Sequence, residues 1–110
     1  MRLIHVTDSR NLLGIEAKGL DPKKATGKRS AVWLLSPSNE PWGVAHTLGK
    51  PRARGRSIND HVVLVVDVPR SWLTRHARGV WYCSRAIAWE RIREMRSAVE
   101  CGRSYPGGER

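Results

Sequence analysis

The chain has no phenylalanine, only two cysteines (Cys83 and Cys101), and half as many acidic as basic residues. Each shortage excludes something. There is no CxxC pair and the four histidines are scattered, so no zinc-finger spacing can be assembled. Two cysteines allow one disulfide at most, and reduced thiols are the simpler expectation. The longest apolar stretch, Val62–Val66, is five residues, against the ~20 that a membrane helix needs. Met1–Asp8 turns polar at once and lacks the apolar segment of a secretory signal. These features predict a cytoplasmic protein with no membrane partner. No GxGxxG follows a strand-like run and no GxxxxGK[ST] occurs, which removes Rossmann and P-loop nucleotide sites.

What is present is positive charge. Twenty Lys and Arg against ten Asp and Glu give a net charge of +10, and fifteen of the twenty cations are arginine. The guanidinium fork matches phosphate bidentately, so an arginine-weighted excess favours a polyanionic partner. Free arginine usage in a high-GC genome is the plain alternative. With 40% apolar and 27% charged residues the composition is that of a globular protein. The 110 residues suit one domain, read here as 1–101, followed by a flexible tail over 102–110 that contains Pro106-Gly107-Gly108.

Periodicity predicts strands at Leu3–Val6, Ala31–Leu35, His61–Val68 and Gly79–Cys83, each a short apolar run bounded by polar or turn residues. Asp8 or Ser9 caps a predicted helix over Arg10–Lys18, which Gly19 ends in the left-handed conformation. A second helix starts after Ser36-Pro37-Ser38-Asn39 and ends at Gly49, with Trp42, Ala45 and Leu48 facing inward. A third, short helix is expected over Arg70–His76, burying Trp72 and Leu73. Residues Ala86–Cys101 read two ways. Trp89, Ile92, Met95 or Arg96, and Val99 recur at helical spacing, yet a strand could begin at Ile87 or Ile92. Without phenylalanine, at least three of the five tryptophans are expected in the core. The mixture has no strict βαβ rhythm and predicts a small α+β domain, with small mixed or antiparallel sheets and short flanking helices.

The order of several short motifs is more specific than any one of them. They are His5-Val6-Thr7, Ile15-x-x-x-Gly19-Leu20-x-Pro22 and Arg29-x-x-Val32-Trp33-Leu34. Then follow Ser36, Val62-Val63-Leu64-Val65-Val66-Asp67, Gly79-Val80-Trp81 and Ile87-x-x-Glu90-x-Ile92. This order resembles the ADP-ribosyltransferase-like superfamily, most closely the catalytic domain of the RNA 2′-phosphotransferase family, over about Leu3 to Ile92. Val6 stands where that family has glycine, and Trp33 where it has a second histidine. The resemblance implies a compact ADP-ribosyltransferase-like fold that binds NAD as co-substrate.

It also implies a site. His5 would bond a ribose hydroxyl, Thr7 would bond the carboxamide region, Val6 would line the cofactor site, and Arg29 would meet the phosphates, with Ser36 and His46 beside the nucleotide. His5, Arg29, Arg85 and Glu90 become the candidate catalytic residues, Glu90 because many such transferases use a late glutamate. Each has a plain alternative: a strand histidine, a turn hydroxyl, a solvated cation, a surface acid. Lys50-Pro51-Arg52-Ala53-Arg54-Gly55-Arg56 carries four cations in seven residues and reads as an exposed, mobile loop that meets the substrate through Lys50, Arg52, Arg54 and Arg56. The functional expectation is an NAD-dependent transferase modifying nucleic acid or a protein, as a toxin, phage effector or RNA-modifying enzyme. The alternative is a non-enzymatic basic module of the same fold that binds nucleic acid or inhibits a protein. The enzyme reading predicts a concave site in which His5 and Arg29 converge, whereas the binder reading predicts a filled cleft and a flat cationic face.

Overall fold

A computed structural model describes residues 1–25 and 29–99. The fold is α+β: six antiparallel strands form one sheet, flanked by two helices. The strands are β1 (Arg2–Asp8), β2 (Val32–Leu35), β3 (His61–Asp67), β4 (Leu73–Ala77), β5 (Val80–Cys83) and β6 (Ile92–Ser97). They lie in the order β4-β5-β2-β1-β3-β6. The helices are α1 (Leu12–Lys18) and α2 (Glu40–Leu48).

Period-2 alternation divides the strand residues between two cores. On one face Leu3, Val32, Leu34, Leu64, Val66 and Cys83 pack with Ile15 of α1, Leu20 and Ile87. On the other, Ile4, Leu35, Val63 and Val65 pack with Val44 of α2 and Ala98. β3 is buried on both faces, which explains its uninterrupted Val-Val-Leu-Val-Val run. Truncating Leu64, fully buried against Leu3, should cost ~2–5 kcal/mol through lost transfer energy and the cavity left behind.

Local chemistry sets the element ends. Asp8 accepts a hydrogen bond from the Arg10 backbone N–H at 3.0 Å and caps a 3-10 turn (Ser9–Asn11) that leads into α1. Gly19 ends α1 with φ 75° but an extended ψ of −173°, so it is not the left-handed cap expected from the sequence. Glycine is required there for a second reason: a Cβ would strike the Ile87 carbonyl, where Leu20 and Ile87 form a two-residue bridge.

Several expectations are corrected. Arg70–His76 is not a helix. A 3-10 turn spans Arg70–Trp72, and β4 then pairs with β5 through a tight turn whose Gly79 has φ 70°. Of the two readings of Ala86–Cys101, strand prevails within the described residues: β6 begins at Ile92 and pairs with β3. Tertiary pairing overrides the helical spacing, and Arg93, Glu94 and Arg96 suit an edge strand. Trp42 and Ala45 face solvent, because Gly43 is the residue that lets α2 approach Leu35 and Val6. No tryptophan is fully buried. Trp33, Trp72, Trp81 and Trp89 are half-buried and Trp42 is exposed; Trp72, Trp81 and Trp89 pack against the edge of the Leu3 core, whose interior aliphatic side chains fill. Of the mixed or antiparallel sheets expected, the antiparallel form is found, as one six-stranded sheet rather than several. Glu100 and Cys101, and the predicted tail over 102–110, lie outside the described residues.

Candidate nucleic-acid interface

β1 and β3 pair over seven residues, whereas β1 and β2 register at one position, Ile4 with Leu35. The His5 imidazole occupies the seam beyond that pair, with Nδ1 2.8 Å from the Trp33 backbone carbonyl. A carbonyl only accepts, so Nδ1 carries the proton and Nε2 is left as an acceptor. Burial lowers the His5 pKa below 6.5, the bond to Trp33 raises it, and the Lys50 ammonium lowers it again. The net direction is down, so the ring is neutral at pH 7.

His5 and Arg29 do not share a cleft. In the unbroken β1–β3 ladder His5 lies opposite Leu64, on the Leu3 face of the sheet. The Arg29 guanidinium sits 4.5 Å from the centroid of Tyr82, which is opposite Trp33 on the other face. The predicted convergence is therefore wrong. The reason is strand parity: His5 aligns with Leu3, whereas Trp33 and Tyr82 align with Leu35 and Val80.

The remaining candidates scatter. Val6 packs beneath α2, on the face away from His5. Thr7 is buried and its hydroxyl accepts from Asn11 Nδ2 at 3.1 Å, a local turn bond. Ser36 starts the turn before α2, with its backbone N–H bonded to the Gly79 carbonyl at 3.0 Å. His46 is exposed and stacks on Trp42 at 4.7 Å. Arg85 lies 4.1 Å from the Trp72 ring centroid, and Arg91 lies over the same ring at 4.5 Å. Glu90 is exposed in the turn before β6, which joins β3 at Val66. That is the Arg2 end of β1, the opposite end from Asp8.

The basic segment is better ordered than its composition suggests. Residues Pro51–Ala53 form a 3-10 turn whose Ala53 is buried. Arg10 donates to the Arg52 carbonyl at 2.8 Å. Arg56 donates through Nε and Nη2 to both oxygens of Asp8, at 2.8 and 2.6 Å. Asp8 is buried, and this bidentate hydrogen bonding holds its carboxyl far below the usual carboxylate range, helped by the Arg10 N–H and opposed by burial. Arg56 is thus a structural clamp rather than a free cation. Lys50, Arg52 and Arg54 remain exposed overall, though partial desolvation of the Lys50 ammonium pushes its pKa down, with Arg52 adding to the effect. The expected mobile loop is a fastened basic turn at the Asp8 end of the sheet.

Sequence reading passed over Tyr82, His76 and the alternation of Trp33 with Val32 and Leu34. On the face away from His5, Trp33 meets His76 edge-on at 5.0 Å and Tyr82 at 5.3 Å. The signal was available, since Val32, Leu34 and Cys83 of the same strands already fill the opposite face.

Among the described residues no three His, Cys, Asp or Glu side chains gather in a metal-holding arrangement, and no helix is long and apolar enough to cross a membrane. No protein-family model, no curated protein and no solved structure matches this chain.

Proposed function

We propose that this protein is a basic module that binds nucleic acid. The observation that carries the reading is the fastened Lys50–Arg56 segment. It is held at one end of the sheet by Arg10 and Asp8, with Lys50, Arg52 and Arg54 directed to solvent. A cationic segment fixed in place loses little entropy on meeting phosphate, and three phosphate contacts release three condensed counterions. Binding of fluorescein-labelled DNA and RNA strands, measured across a salt series, tests it. Affinity should fall with a log–log slope of about −2 for single strands, from ~0.7 per contact. Absence of salt-dependent binding would remove the reading.

A second reading is an NAD-dependent ADP-ribosyltransferase-like transferase; the opposite faces of His5 and Arg29 count against the site first expected for it, and one observation favours a site built on His5 without Arg29. A neutral imidazole stands in the seam between β1 and β2, within electrostatic reach of Lys50. In this reading Nε2 of His5 accepts from a ribose hydroxyl and Lys50 neutralises a phosphate; Arg29 has no part. The nicotinamide–ribose bond breaks and an acceptor on RNA, DNA or protein attacks the sugar carbon that nicotinamide leaves. Incubation with labelled NAD and each acceptor class tests this. Transfer that His5→Ala abolishes supports it, and no transfer to any acceptor rejects it.

A further inference from the structure

We infer that the open half of the sheet, the face of β2, β5 and β4 that carries Trp33, Tyr82 and His76, is a base-stacking surface for single-stranded nucleic acid. The inference rests on the nucleic-acid reading above and names the form of nucleic acid and the side chains that meet its bases.

The half-sheet is left open by α2. That helix packs chiefly on β1, with Val44 in one cluster with Ile4 and Leu35 and with Gly43 against Leu35 and Val6. Among the described residues no helix packs over Trp33, which lies two residues before Leu35 on the same face of β2. Its neighbours are side chains of the sheet itself. Tyr82 lies across from it on β5, tilted by 52° with centroids 5.3 Å apart, and His76 of β4 meets it edge-on at 5.0 Å. Trp33 and Tyr82 are half-buried and His76 is exposed, so the three rings form a shelf rather than a core.

The charge on this shelf has one sign. β2, β4 and β5 contain no Asp or Glu. The Arg29 guanidinium lies over the Tyr82 ring at 4.5 Å, a cation–π arrangement in which its N–H groups donate to no other described residue and the fork suits phosphate recognition. Arg29 also precedes the start of β2, and β2 runs antiparallel to β1, so Arg29 and the Asp8-anchored turn stand at the same end of the sheet. A strand of nucleic acid laid across the shelf would set bases on the rings and carry its backbone past Arg29 toward Arg52 and Arg54. Aromatic rings with interleaved cations are what single strands need, because every base offers a π-face and the paired bases of a duplex do not.

The test uses a fluorescein-labelled single-stranded oligonucleotide and the same strand annealed to its complement, titrated with the full chain and with His76→Ala, Tyr82→Leu, Arg29→Ala and Arg54→Ala. His76 and Arg29 are exposed, so their variants remain informative if Tyr82→Leu fails to fold. Loss of one stacking side chain should weaken single-strand binding roughly tenfold while leaving the salt slope unchanged. Duplex binding should change little. Arg54→Ala should instead flatten the slope for both forms by about 0.7–0.9. Two results would overturn the shelf while leaving the nucleic-acid reading in place: folded His76→Ala and Tyr82→Leu proteins that bind single strands like the parent, or a parent that prefers duplex. A parent protein that binds neither form overturns both.

Discussion

His5 and Trp33 are joined by a 2.8 Å hydrogen bond across the β1–β2 seam, yet their side chains leave the sheet on opposite faces. The bond runs from the imidazole to the Trp33 backbone carbonyl, so it fixes the seam without bringing the two rings together. That relationship separates two chemistries. A neutral imidazole serves one face, and an aromatic, cationic shelf occupies the other.

The four cations of the basic segment should not behave alike. Arg52→Ala and Arg54→Ala remove exposed charges and should change stability by no more than ~0.5 kcal/mol, while together flattening the single-strand salt slope by about 1.4. Arg56→Ala leaves the buried Asp8 carboxylate without its bidentate partner and should lower the melting temperature clearly more than either. Equal melting temperatures for all three variants would contradict the clamp.

Stability should decline with acid in two stages. The folded-state pKa of His5 is below 6.5, so as pH falls through 6.5 the unfolded chain takes up a proton that the folded chain resists, and stability drops. Asp8 is depressed from 3.8, and Asp60 in the same direction through its bond to the Ser57 N–H, so their contribution is full above that range. It is lost as pH falls below about 4. Urea denaturation from pH 8 to pH 3 should show both stages. His5→Asn should remove the upper one, and Asp8→Asn should blunt the lower.

Two glycines should respond oppositely to alanine. At Gly19, φ is 75° and a Cβ would meet the Ile87 carbonyl, so Gly19→Ala should destabilise by about 1–3 kcal/mol. At Gly14, inside α1 with nothing within 4 Å of an added Cβ, Gly14→Ala should stabilise by about 0.5–1 kcal/mol. Chemical denaturation of the two variants checks both signs.

For the transferase reading, labelled-NAD assays should rank the candidates by position. His5→Ala should lose more than a hundredfold in transfer, since the seam would lose its imidazole. Glu90 lies at the other end of the sheet, and Glu90→Gln should cost less than tenfold, under ~1.4 kcal/mol. A larger loss for Glu90 than for His5 would reject the seam as the site.

The sequence by itself determined the α+β class, the internal strands and the sites of charge. Val62–Val66 reads as a strand from its β-branched run alone, and the cap at Asp8 needs only its neighbours. These features follow from local propensity and apolar patterning, which act within a few residues. Tertiary structure decided the rest. Leu73–Ala77 and Ile92–Ser97 are strands because β5 and β3 pair with them, whatever their own spacing suggests. Whether His5 and Arg29 meet depends on the parity of two strands distant in sequence, a relation fixed by register. The role of Arg56 depends on Asp8, 48 residues away, and no local pattern carries that distance.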